Sequence, residues 1–161
     1  MPELDNMKKR ATSKLPQSVL GAFHDSYQRC RENDQFFDLF YERFIFSSKE
    51  VAAFFRGVNL VRVKKMLRDA LLFQLMASDG SEFGIRKLEG YALTHQSLGA
   101  KDHHFDLWLD SLMSVVEEID PLYTEETNQA WRRVLEFGNS IMKTPQPLVN
   151  TLEVNAEAVE S

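Results

Sequence analysis

Few side chains in this chain are of types that could do chemistry: four histidines, one cysteine and some carboxylate pairs. Among them His95 stands apart. It recurs with Leu88, Tyr91, Ala92 and Leu98 at the three-and-four spacing of one helix face, so its imidazole is expected on an apolar stripe. A ring nitrogen facing a core needs a partner, because an unpaired buried polar group is costly. A bound metal would satisfy one nitrogen, and a nearby carbonyl or carboxylate the other. A core histidine bonded only to a backbone carbonyl is the alternative that the stripe leaves open. His24 falls on the polar side of its segment. His103 and His104 are adjacent, so on a helix they point about 100° apart and are expected on the surface, not around one metal. Asp106 and Asp110 are an i, i+4 pair with nothing apolar around them to shift a pKa, and read as solvated face. Cys30 is single and cannot form an internal disulfide, and nothing resembles a zinc-ligand array. No glycine-rich phosphate loop or nucleophile elbow is present.

The elements that must position His95 are helical. All five prolines lie at positions 2, 16, 121, 145 and 147, and glycines number only seven in 161 residues. A β-sandwich or barrel of this length needs more turn punctuation than that. About seven helices are expected. The first starts near Pro16 and carries Val19, Leu20, Phe23, Tyr27 and Cys30 on one face to about Glu32. Asp34 would cap a segment with Phe37, Phe40, Tyr41, Phe44 and Ile45 on its stripe. Ser47 and Glu50 have capping-box spacing for a short helix ending near Phe55. A turn at 56–58 leads to a helix from about Asn59 to Met76, with Val63, Met66, Leu67, Ala70 and Leu71 inward. After the Asp79-Gly80 turn, a helix runs from Glu82 to Leu98, with Gly99 at its C-cap. Asp102 would cap a long helix bearing Phe105, Trp108, Leu109, Leu112 and Val116, stopped by Asp120-Pro121. Thr124 would cap the last, with Thr127, Ala130, Trp131, Val134, Phe137 and Ile141 inward. Residues 1–15 read as a flexible N-terminal segment, 16–143 as the domain, and 144–161 as a tail whose Leu148, Val149, Leu152 and Val154 could pack on the body.

Bulk properties narrow the partners. A net charge of −5 argues against a nucleic-acid domain, which would show a concentrated basic face. Lys8, Lys9, Arg10 and Lys14 form only a small cluster diluted by Glu3 and Asp5. No apolar run reaches the roughly 20 residues that span a bilayer, and the first residues lack the apolar stretch of a secretory signal. No membrane or nucleic-acid partner is expected, and a cytoplasmic location is the simplest expectation.

Phe40-Tyr41-Glu42-Arg43-Phe44, with Ser47-Ser48-Lys49-Glu50-Val51-Ala52-Ala53-Phe54-Phe55 after it, resembles the second and third helices of a bacterial globin. Thr94-His95-Gln96-Ser97-Leu98-Gly99-Ala100-Lys101-Asp102-His103-His104-Phe105 resembles the proximal region in flavohaemoglobins and single-domain globins. The likeness covers about residues 16–143 in matching order and nearly matching spacing. It implies an all-α globin fold of about seven helices around a haem b pocket, with His95 as the iron ligand. Phe55 would pack on the haem face, and Tyr41 would donate to a bound diatomic gas. Val63 and Leu67 would line the ligand side, and Phe105 would lie near His95.

Three positions depart from the family pattern. Val63 stands where many globins have histidine or glutamine, which leaves Tyr41 as the main polar contact to a ligand. Lys49 stands where a proline often begins the third helix. Phe105 replaces a tyrosine that hydrogen-bonds on the proximal side in flavohaemoglobins, so peroxidase-like chemistry is not expected. The resemblance therefore implies reversible binding of dioxygen, nitric oxide or carbon monoxide. Two other outcomes are weighed with it: a haem-free globin-fold sensor or interaction module, and nitric oxide dioxygenation with electrons from a separate reductase.

Overall fold

The structure of the chain, a computed structural model, describes residues 14–143. The Lys8–Arg10 cluster, most of the N-terminal segment and the proposed packing of Leu148, Val149, Leu152 and Val154 lie outside these residues. Seven helices and no strand occur among the described residues: α1 (Gln17–Arg31), α2 (Phe36–Phe46), α3 (Lys49–Phe54), α4 (Leu60–Ser78), α5 (Glu82–Ser97), α6 (Asp102–Ile119) and α7 (Glu125–Lys143). Six of the seven thus fall between Pro16 and Pro121, and the proline-free interval is continuous helix and short turn.

Helix α4 packs along α5, α1 along α7 and α2 along α6, and α7 also meets α4, α5 and α6. The junction of α4 and α5 needs Gly84, because a Cβ there would sit 2.8 Å from the Ala77 backbone nitrogen. The turns before and after α5 use Gly80 and Gly99 at φ +85° and +83°, the left-handed region that glycine enters without steric cost.

Several helix starts fall one residue from their expected cap, for local reasons. Asp34 does not cap α2; Asn33 Oδ1 instead accepts from the Gln35 N–H in the approach to the helix. Ser48 caps α3 by accepting from the Val51 N–H at 3.0 Å, while Ser47 turns back and donates to the Phe44 carbonyl. Asp102 is the first residue of α6 and not its cap; the Lys101 N–H is taken by the ring of His104. Asn59, Ser81 and Thr124 accept N–H groups at the starts of α4, α5 and α7.

Burial separates the interior into two apolar clusters. The larger is built from α1, α2, α6 and α7 around Phe23, Phe36, Phe40, Leu112 and Trp131, with Leu67 and Leu71 of α4. The smaller joins Ala77, Leu88, Ala92, Phe105 and Met142. The stripe expected on α7 is rotated, since Leu135, Gly138, Asn139 and Met142 are buried while Phe137 and Ile141 are half-buried. Polar atoms inside the larger cluster are tied together. Arg29 Nε and Nη2 donate to the buried Asp120 carboxylate at 2.6 and 2.9 Å, Ser26 Oγ donates to it at 2.6 Å, and Trp131 Nε1 donates to Ser26 Oγ. Burial pushes the Asp120 carboxyl upward, but Arg29, Ser26 and the Leu122 N–H more than offset this and hold it below its ordinary value.

Candidate functional site

Between α2, α4, α5 and α6 lies a cavity of about 290 Å³, close to the lower end of the range for small-molecule sites. Its walls draw on both clusters: Tyr41, Phe44 and Leu67 from the larger, Phe105 and Met142 from the smaller. The cavity therefore lies on the seam where the two halves of the core would otherwise meet. All six residues singled out in the sequence line it: Tyr41, Phe55, Val63, Leu67, His95 and Phe105. Its rim is apolar as well, because Phe54, Val58, Met66 and Leu98 line the cavity and are also exposed to solvent. The expectation that Met66 and Leu98 point inward is corrected accordingly; both stand at the mouth.

His95 reaches the cavity from the last turn of α5. Its Nδ1 lies 2.8 Å from the Tyr91 carbonyl oxygen, one helical turn back. A carbonyl can only accept, so Nδ1 carries the proton, and the neutral ring's lone pair is on Nε2. Desolvation lowers the His95 pKa, and the Tyr91 bond only partly counters it. The ring thus stays neutral near pH 7. Among the described residues it makes no other hydrogen bond: the carbonyl takes one nitrogen, as the core-histidine alternative expects, and Nε2 keeps its lone pair. Phe105 stands edge-on to the ring, with centroids 5.4 Å apart.

From α2, the buried Tyr41 also lines the cavity, and its hydroxyl donates to the Val63 carbonyl at 2.9 Å. Desolvation raises its pKa far enough that the phenol keeps its proton at any working pH. Phe55 holds that ring edge-on at 5.7 Å, and Phe44 packs edge-on against Phe55. The α3 corner therefore fixes the orientation of Tyr41 through aromatic contact.

His104 corrects the sequence reading. It is only 4% exposed and lines the cavity, whereas His103 is on the surface as expected. Their side chains also converge, with ring centroids 4.1 Å apart and both Nε2 atoms within 4 Å of the Glu50 carboxylate. Glu50, His103 and His104 could hold a cation by spacing alone, their ligand atoms lying within 4.8 Å of one another. The hydrogen bonds argue otherwise. His104 Nδ1 accepts the Lys101 N–H at 2.9 Å, so its proton is on Nε2, 3.1 Å from Glu50 Oε2. That nitrogen is a donor, with no lone pair for a metal. The trio is a staple between α3 and α6, and Phe54 stands edge-on to the His104 ring at 5.1 Å.

Two residues that sequence reasoning missed also line the cavity. Gln74 and Asn139 are buried, and Gln74 Oε1 and Nε2 and Asn139 Oδ1 have no hydrogen-bond partner among the described residues. Gln74 follows Leu67, Ala70 and Leu71 at helical spacing, and an amide continuing an apolar stripe was the available signal.

Asp106 and Asp110 are exposed and pair with Lys143 and Arg132. His24 is exposed beside Asp25. Cys30 is buried, and desolvation pushes its thiol up to about 12, which leaves it unreactive. No helix among the described residues is long and apolar enough to cross a membrane.

No protein-family model matches the sequence, and no curated protein matches it. Among solved structures, it is similar to a protein from Pseudomonas aeruginosa PAO1 described as structurally highly homologous to a human hemoglobin. The two share 31% identity and superpose with a TM-score of 0.75, over 78% of this chain and 96% of the other. With seven helices, no strand among the described residues, and a cavity at the seam of the core, the chain belongs to the globin family.

Proposed function

We propose that the cavity takes haem b through His95 and that the protein reversibly binds a diatomic gas there. The observation that carries this reading is the state of the His95 ring. Its Nδ1–H is fixed on the Tyr91 carbonyl, and the Nε2 lone pair has no partner among the described residues in a largely apolar cavity. This is the form in which histidine ligates a metal, with orientation and tautomer set by the second nitrogen. The residues fit the group in other respects. Phe55, Val63, Leu67 and Phe105 offer apolar surface to a flat macrocycle. The mouth between Phe54, Val58, Met66 and Leu98 lets its carboxylates stay in water. When bound, haem supplies an iron able to coordinate dioxygen, nitric oxide or carbon monoxide.

The chain's own residues would set the response. Tyr41 is the polar group on the α2 wall, and Val63 adds no second donor. An incoming ligand that accepts hydrogen bonds competes with the Val63 carbonyl for the Tyr41 proton. A poor acceptor leaves that proton where it is. Phe105 offers no hydrogen bond on the His95 side, which supports binding more than oxidative chemistry. The test is the visible spectrum of the purified protein, or of protein reconstituted with haemin. A Soret band is expected, shifted by carbon monoxide after reduction and lost in His95→Ala. Failure to take up haemin would overturn the reading.

A further inference from the structure

Gln74 is fully buried on α4, and the Gly138 site on α7 is shaped around it. A Cβ at position 138 would meet Gln74 Cγ, Cδ and Oε1 at 2.8 Å. Glycine within a helix costs about 1 kcal/mol relative to alanine. Leaving a buried amide unpaired costs more, on the order of 1–3 kcal/mol for each group. Both penalties fall on one side chain, and the adjacent Asn139 adds a third unpaired atom, Oδ1. Alanine at both 74 and 138 would avoid the glycine cost and the two unpaired atoms of Gln74. The polar atoms are therefore in place for an occupant of the cavity wall that Gln74 and Asn139 share.

The donors and acceptors define that occupant. Gln74 Nε2 brings hydrogens, while Gln74 Oε1 and Asn139 Oδ1 both require them. Dioxygen, carbon monoxide and nitric oxide have no hydrogen to give to two carbonyl oxygens. Small anions that carry no hydrogen are excluded for the same reason, and among the described residues no lysine or arginine lines the cavity to hold any anion. We propose that Gln74 and Asn139 form a second subsite of the cavity, which binds a small uncharged molecule bearing O–H or N–H groups, of the class of water, hydrogen peroxide or hydroxylamine. The subsite draws on neither His95 nor haem.

Formamide, with two N–H donors and one carbonyl acceptor, is an unreactive probe. The experiment is its titration into the purified full chain, in haem-free form and in the carbon monoxide-bound ferrous form, followed by the Gln74 side-chain amide resonances. A saturable shift is expected, with affinity weakened about fivefold or more in Asn139→Leu, the fold-change of one lost neutral hydrogen bond. Asn139→Ala serves if the leucine variant does not fold. Xenon, which forms no hydrogen bonds, should perturb cavity-lining methyl groups equally in wild type and variant and so report an intact cavity. A linear, unsaturable response, or equal formamide affinity in the Asn139 variants, would overturn the subsite. So would a higher melting temperature in Gln74→Leu together with no response to formamide in the wild type. Failure to bind haemin would count against the functional reading alone, because the haem-free titration is unaffected by it.

Discussion

The Tyr41 hydroxyl donates its single proton to the backbone carbonyl of Val63, 2.9 Å away across the α2–α4 wall. The cavity therefore meets a ligand with this donor already engaged, and an acceptor must win the proton from the carbonyl. Tyr41→Phe removes both bonds. Stability should fall by about 1 kcal/mol, read by denaturant unfolding. The dissociation rate of dioxygen from haem-loaded protein, read by stopped-flow, should rise several-fold, with little change for carbon monoxide. Equal effects on the two gases would show that the hydroxyl does not discriminate between them.

Asp120 anchors the largest buried polar network, and Asp120→Asn should remove about 3 kcal/mol of stability. Breaking a buried pair costs roughly 3–5 kcal/mol, and the Arg29 side chain, 28% exposed, can regain some hydration. The pH dependence has a definite sign. The folded state lowers the Asp120 pKa below its ordinary 3.8. Its contribution is therefore complete above that value and is lost as pH falls through the folded pKa. Acid unfolding below about pH 4 should be steeper in the wild type than in Asp120→Asn, as read by circular dichroism.

Gly138→Ala tests the fit between α7 and Gln74. The new methyl group would meet the Gln74 side chain at 2.8 Å, and overpacking of this kind costs about 1–3 kcal/mol. Combined with Gln74→Ala, the same change should cost much less, giving a favourable coupling in the double-mutant cycle. Additive losses would place the strain elsewhere.

His104 caps α6 and bridges to Glu50 on α3, so its loss should exceed that of its partner. His104→Ala is expected to cost about 2 kcal/mol through the lost cap and the lost buried contact. Glu50→Ala should cost under about 1 kcal/mol, because that carboxylate is largely exposed. Urea denaturation of the two variants and their double mutant separates these contributions.

The helices were legible because apolar spacing and punctuation agree along the whole described chain. Pro16, Asn59, Gly80, Ser81, Gly99 and Pro121 each mark a boundary the structure keeps. The site residues followed from His95 and the likeness of the sequence around it, and all of them border one cavity. The caps at 34, 47 and 102 were misplaced by one residue, since neighbouring Asn, Ser and His side chains engage the N–H groups there. The burial of His104 was hidden for a different reason. Its partner Glu50 lies 54 positions away in sequence, and local periodicity carries no information about such a pair. Gln74 and Asn139 escaped notice because an uncharged amide on an apolar face carries no motif.

Arg29, Ser26, Asp120 and Trp131, the residues of the buried polar network, are absent from the lining of the cavity. These buried ties join the first helix to the last two, outside the cavity wall. The side around His95 is closed mainly by aromatic edges and short corners, which can part without undoing those ties. If the cavity takes the flat guest proposed for it, the polar frame is expected to form without that guest, because none of its ties involves a residue of the cavity wall.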